Sequence, residues 1–175
     1  MDLQLEGKCA AVTGGSAGIG KMIALCLARE GVDVALCARS AGPLEEAAKE
    51  IAAETGREIV PITADLTKTA DANAFIDKAA EALGRIDILV NNAGAAAGGV
   101  LETLSDEDWE SALQLKFFGY VRCTRAVIPH MKRQGGGRVV NLIGNDGVKH
   151  SYWEIAPGAA NAAGQNLTVS LSMQY

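Results

Sequence analysis

The stretch "KCAAVTGGSAGIG", residues 8–20, decides how this chain folds. Its first half is an unbroken apolar run, as expected of a short strand buried on both faces. Glycines follow at 14, 18 and 20. Ile19, Met22, Ile23, Cys26 and Leu27 then recur on one face of a helix that stops at Gly31. Strand, glycine loop and helix in that order put backbone N–H groups and the positive end of a helix dipole at the strand's carboxyl end. Such a place suits a phosphate.

The rest of the chain repeats the unit. "VDVALCA" (32–38), "EIVPITA" (58–64), "IDILVNN" (86–92) and "GRVVNLI" (137–143) read as further strands buried on both faces. Amphipathic helices lie between them. One opens near Pro43, carries Leu44, Ala47, Ala48 and Ile51 inward, and ends at Gly56. The next carries Phe75, Ile76, Ala79 and Leu83, and ends at Gly84. A longer one starts at "SDED", where Ser105 and Asp108 have capping-box spacing, and runs to about Gln134, with Pro129 loosening its last turns. Right-handed crossovers through these helices imply a parallel sheet with helices on both faces. Pro61 cannot serve two neighbours in a ladder, so its strand belongs at an edge. The fold expected is therefore a doubly wound α/β sheet in the Rossmann-like order 3-2-1-4-5.

Composition narrows the function. The 175 residues suit one domain, 1–175, and the scarcity of aromatics (5%) suits a core of alanine, valine, leucine and isoleucine. A net charge of −5 argues against a nucleic-acid partner. No apolar run is long enough to span a membrane, and "MDLQLEGK" lacks the basic start and apolar core of a secretory signal. Cys9, Cys26, Cys37 and Cys123 show no metal-ligand spacing, so we expect small core residues in a reducing, cytoplasmic setting and no metal. The stretch "GAAAGG" (94–99) reads as a mobile loop beside the carboxyl ends of the strands.

The GxxxGxG spacing of residues 14–20 resembles that of the short-chain dehydrogenase/reductase family, and other motifs of that family follow in order. They are "ADLT" (64–67), "NNAG" (91–94), "PHM" (129–131) and "RVVNLI" (138–143), so the resemblance covers essentially the whole chain. It implies an oxidoreductase that moves a hydride between a nicotinamide dinucleotide and a carbonyl or alcohol. The cofactor-binding residues implied are Gly14, Ser16, Gly18, Ile19 and Gly20 in the loop, Asp65 and Leu66 beside the adenine, and Asn92, Ala93 and Gly94 after the fourth strand. At the end of the second strand, Ala38 stands where an NAD-type acid would bind the ribose, and Arg39 and Ser40 follow. A guanidinium there suits a 2′-phosphate, so the cofactor expected is NADP(H).

The same resemblance implies an asparagine–serine–tyrosine–lysine tetrad, and this chain departs from it everywhere. Lys116 stands at the asparagine position, Gly144 at the serine, Pro157 at the tyrosine and Asn161 at the lysine. Lysine and asparagine are exchanged, which keeps an ammonium in the site. Lys116 sits in an otherwise apolar stripe with Trp109, Ala112, Leu113, Tyr120, Cys123 and Val127, where a charge is expensive without partners. Tyr152 and His150 are candidates for the missing acid, and Asn145 or Asp146 for the serine's hydrogen bond. Two readings follow: an oxidoreductase with a remodelled proton relay through Lys116, Asn161 and Tyr152, or a dinucleotide-binding scaffold or sensor without turnover. The resemblance also implies a further helix and strands beyond residue 175, so the chain reads as C-terminally incomplete. It implies a homo-oligomer as well, a dimer or tetramer, with Phe117, Phe118, Leu167 and Leu171 forming the stripe to be covered.

Overall fold

Five parallel strands order the computed structural model, which describes residues 3–95 and 97–175. β1 (Cys9–Thr13) is central, with β2 (Asp33–Ala38) on one side and β4 (Ile88–Asn91) on the other. β3 (Ile59–Thr63) lies outside β2 and β5 (Arg138–Asn141) outside β4, giving the order 3-2-1-4-5. Val12 faces Leu36 on one neighbour and Val90 on the other. Pro61 lies in β3 opposite Leu36, on the edge strand where its missing N–H disrupts only one ladder.

Alternate strand residues feed two cores. Val12, Val34, Leu36 and Val90 pack with Leu44 and Ile51 beneath α1 (Gly18–Arg29) and α2 (Ala41–Thr55). Ala11, Ala35 and Leu89 pack on the opposite face with Phe75, Ile76, Cys123 and Val127, from α3 (Thr69–Leu83) and α5 (Phe118–Arg133). β1 is buried throughout, as are the interior of β2 and Leu89–Asn91 of β4. β3 and β5 are half-exposed, with Val140 46% accessible, so burial on both faces holds for the centre of the sheet and not for its edges. Each edge strand has a neighbour on one side only.

The first helix corrects its expected face. Gly20, Ala24 and Ala28 are its buried residues, while Ile19 and Met22 are 66% and 51% exposed and Cys26 is exposed with them. Gly20 lies so close to the Gly14 carbonyl that a Cβ there would sit 2.2 Å from the oxygen. At that separation small residues meet the sheet, and of the expected stripe Ile23 and Leu27 pack at the core's margin while Ile19, Met22 and Cys26 turn outward. The other three cysteines are buried, as expected.

Ser105 and Asp108 form the capping box that opens α4 (Asp106–Ala112). Between α4 and α5 the helix widens into one π turn, Leu113–Phe117, which carries Lys116. Such a turn re-aims the side chains that follow and recurs at functional positions. Pro129 lies within α5, yet the helix continues to Arg133. A final helix, α6 (Ile155–Gln174), has Pro157 in its first turn, where no intrahelical N–H bond is lost. No described helix is long and apolar enough to cross a membrane.

Candidate cofactor and active site

The carboxyl ends of β1 and β4 meet at the switch point of the sheet, where β1 leads toward β2 and β4 toward β5. One side chain joins them. The Thr13 hydroxyl donates to the Val90 carbonyl (3.3 Å) and accepts the N–H groups of Asn92 (2.8 Å) and Ala93 (3.0 Å). The Asn92 amide in turn donates to the carbonyls of Thr13 (2.9 Å) and Gly14 (3.2 Å). These bonds hold the segment after β4 against the glycine loop.

Above them lies a cleft of about 420 Å³, lined by Gly14, Ala17, Ile19, Gly20, Asn92, Ala93, Gly94, Lys116, Leu142, Ile143 and Gly144. It gathers residues from four separated segments. Ala17 caps α1 without a side-chain hydrogen bond, and no acid lies in the first turn, so the leading N–H groups of that helix face the cleft end uncapped. Gly18 has φ +55° with nothing near its Cβ position, and Ser16 is half-buried beside it.

Arg39 and Ser40 are exposed at the end of β2. Ser40 is the N-cap of α2, but its side chain makes no capping bond. Asp65 accepts from the Thr67 hydroxyl (2.7 Å) and N–H (3.1 Å). The Thr67 hydroxyl leads in holding its carboxyl below the usual range, with the nearby charges of Lys68 and Arg39 contributing less. Leu66 is buried, and its carbonyl accepts from Arg122 (3.2 Å), so a cofactor could meet only its backbone N–H.

Lys116 lies on the wall of the cleft. Its stem runs over Gly94, where a Cβ would meet the lysine Cδ at 3.2 Å and Nζ at 3.5 Å. The side chain is half-buried and forms no ion pair among the described residues. Burial lowers its pKa from the ordinary lysine value, and the charge of Asp146 works in the opposite direction.

Asn161 is buried at 3% exposure, and its polar atoms are all engaged. Its Oδ1 accepts the Gly144 N–H (2.8 Å), and its Nδ2 donates to both oxygens of Asp146 (2.9 and 3.0 Å). Asn161 thus binds a carboxylate through its amide nitrogen and a backbone N–H through its oxygen. It holds Asp146, whose charge favours the protonated form of Lys116. Sequence reasoning had Asp146 only as one of two substitutes for the serine, since nothing in the pattern showed that the 3₁₀ turn Asn145–Gly147 would pack on α6.

Tyr152 is 83% exposed and does not line this cleft. His150 is exposed on the same segment. Tyr120 is the buried tyrosine near the cleft, but its hydroxyl donates to the Leu142 carbonyl (2.9 Å), and burial pushes its pKa well above the ordinary phenol value. It is built for packing rather than proton exchange. Within the expected mobile loop, Ala96 lies outside the described residues. Gly99 is tied down, its N–H donating to the Trp153 carbonyl (2.6 Å), and Gly98 lies against the Trp153 indole.

A doubly wound sheet with a glycine-lined helix start at its switch point defines a Rossmann-like α/β domain. Within that class, this chain belongs to the short-chain dehydrogenase family, whose profile ("short chain dehydrogenase") matches residues 8–175. An uncharacterized oxidoreductase of Staphylococcus saprophyticus is 31% identical over 172 residues, covering 98% of this chain and 74% of that protein. L-sorbose reductase from Gluconobacter frateurii, solved in complex with NADPH and L-sorbose, superposes with a TM-score of 0.96 at 30% identity. A xylitol dehydrogenase solved with NAD+ bound superposes with a TM-score of 0.94 at 30% identity. These matches cover 99% and 98% of this chain, which spans 66% of the length of each of those two structures.

Proposed function

We propose that this chain is the dinucleotide-binding part of an NADP(H)-dependent oxidoreductase that acts on a carbonyl or alcohol of a small molecule, with Lys116 handling the proton. The observation that carries this reading is the placement of an ammonium on the wall of the same cleft that the glycine loop enters. The residues present fit the cofactor. Gly14 and Gly20 let the loop close on Asn92 and Ala93 where a Cβ would collide, Gly18 leaves open space at its Cβ position, and the uncapped start of α1 offers donors to a pyrophosphate. Arg39, with Ser40 and the start of α2, offers charge and donors to a 2′-phosphate, and no acid stands at Ala38 to favour a free ribose. Asp65, Leu66, Asn92, Ala93 and Gly94 complete the set of residues assigned to it.

When bound, NADP(H) would exchange a hydride with the substrate carbon. Lys116 supplies the other half of the reaction. As a carbonyl oxygen gains charge, the ammonium donates its proton and becomes a neutral amine, which solvent at the open end of the cleft then reprotonates. Burial, which already weakens the ammonium, makes that transfer easier. Lys116→Met keeps most of the stem's packing and removes the proton. The variant should fold and bind NADPH, followed by nucleotide fluorescence, yet lose at least about 10²-fold in NADPH oxidation on a reactive diketone. An unchanged rate would refute the role given to Lys116.

One observation favours a second reading, a nucleotide-binding scaffold without turnover. Tyr152 is 83% exposed and does not line the cleft, and a proline stands at 157 in the first turn of α6, so neither position supplies a phenol there. A parent protein that binds NADPH tightly and oxidises none of it across a broad carbonyl panel would establish that reading. For both we propose a homo-oligomer formed through α5 and α6, where Phe118 is 40% exposed, and a cytoplasmic setting suited to four free thiols.

A further inference from the structure

We propose that Arg122 is a positioning residue for this site: its guanidinium caps the π turn Leu113–Phe117, fixes the aim of Lys116, and ties that turn to the segment at Leu66. This rests on the reading of Lys116 as the group that handles the proton.

The π turn leaves one carbonyl to be served from elsewhere. In a regular α-helix the Phe118 N–H would donate to Gln114, four residues back. Here it donates to Leu113, five residues back. The Gln114 carbonyl is served instead by a side chain further along the helix. Arg122 donates to that carbonyl (2.9 Å) from one terminal nitrogen and to the Gln114 side-chain oxygen (2.7 Å) from the other. Helical side chains lean toward the N-terminus, so a long one at 122 reaches back that far.

The same guanidinium holds a second segment. The nitrogen that serves the Gln114 carbonyl also donates to the Leu66 carbonyl (3.2 Å), and Nε donates to the Thr69 hydroxyl (3.2 Å). The two carbonyls converge at Gly119, where a Cβ would lie 3.7 Å from the Leu66 oxygen and 3.9 Å from the Gln114 oxygen. Two acceptors brought so close need a donor between them, and a rigid, charged fork supplies one. Arg122 forms no ion pair among the described residues. Its charge is met by these oxygens and by the Phe118 ring, whose centre lies 5.6 Å from the guanidinium carbon.

What depends on the turn is direction. One extra residue rotates the helix on one side of it by about 100° against the other. Lys116 lies within the turn, with its stem over Gly94 on the wall of the cleft. A turn that relaxed to regular α-helix would swing the lysine off that wall. A lysine at 122 would keep the charge and most of the stem, but one ammonium cannot span both carbonyls, the Gln114 side chain and Thr69 together.

The first arm of the test needs neither cofactor nor turnover. Amide hydrogen exchange of the peptide covering residues 113–119 is followed by mass spectrometry in the parent, Arg122→Lys and Arg122→Met. Both variants should exchange there about tenfold faster, with the β1 peptide unchanged. The second arm is a double-mutant cycle on NADPH oxidation with a reactive diketone. Arg122→Lys should lower kcat about fivefold or more in the parent and by less than about twofold in Lys116→Met, where the route through the lysine is already cut. A general weakening of the fold would lower both rates alike. Unchanged exchange at 113–119 in both variants, or an equal loss of kcat in the two backgrounds, would overturn the proposal. A parent that binds NADPH and never oxidises it would instead refute the reading of Lys116, while the exchange arm still decides whether Arg122 caps the turn, so the two failures are distinguishable.

Discussion

Asn161→Ala should destabilise this domain through the loss of one buried amide. The amide makes a charge-assisted contact with Asp146 and accepts the Gly144 N–H, all at 3% exposure. A hydrogen bond to a charged group contributes about 1.5–3 kcal/mol, and a donor left without a partner costs about 1 kcal/mol or more. Alanine returns roughly 0.6 kcal/mol through helix propensity. The net loss is about 2–3 kcal/mol, which in a domain of this size lowers the melting temperature by about 4–12 °C. Thermal unfolding by circular dichroism measures it. Asn161→Asp gives the control of sign. It keeps the acceptor for Gly144 but sets a carboxylate against Asp146, which raises the folded-state pKa of the pair. Stability tied to a raised carboxyl pKa is present in acid and lost as pH rises, so the deficit relative to the parent should be large at pH 7 and shrink toward about pH 4. An Asn161→Ala shift under 2 °C, or an Asn161→Asp deficit that is flat from pH 7 to 4, would refute this role of the amide.

Gly20→Ala should weaken NADPH binding at least tenfold and destabilise the fold by about 1–3 kcal/mol, because its Cβ would meet the Gly14 carbonyl at 2.2 Å and the Asn92 amide at 2.4 Å. Fluorescence titration and urea unfolding read the two effects. Arg39→Asp should reverse the cofactor preference from NADPH to NADH, measured by parallel titrations; equal affinities in the parent would remove the reason for it. For Lys116→Met the pH dependence of stability has a definite sign. The folded pKa of the lysine lies below its unfolded value, so the parent carries a penalty while the lysine is charged, and loses it as pH rises from the folded value to about 10.4. The methionine variant should therefore be the more stable at pH 7, by a margin that narrows as pH approaches about 10.4 and is lost above it.

Much of the fold was legible because repeated strand–helix units imply a parallel, doubly wound sheet, and Pro61 placed β3 at an edge through the chemistry of a missing donor. All five strands read alike as buried on both faces, which holds at the centre of the sheet and not at its edges. The inward face of α1 was misread in part, at Ile19, Met22 and Cys26, for a physical reason. Periodicity shows which residues are apolar, whereas a close approach at Gly20 decides which face can touch the sheet, and small residues win there. The π turn at Leu113–Phe117 left no mark in the sequence, since widening by one residue changes register without changing composition. Lys116 was found because a cation in an apolar stripe is conspicuous. Asp146 was harder to find, since an acid in a loop is ordinary until its partner, fifteen positions away in sequence, is seen to hold it.

The hydroxyl of Thr13 has a mechanical consequence. It replaces ladder bonds at the point where β1 and β4 diverge, so the floor of the cleft is stitched by one oxygen atom with three partners. A valine there would have the same shape and leave two N–H groups and a carbonyl without it. Any ligand wedging between these strands would have to break all three bonds together. The segments around Gly98 and Trp153 are tied in the same way to each other, through the Gly99 N–H and the Trp153 carbonyl, so the chain pins its loops by single polar contacts as well as by its sheet.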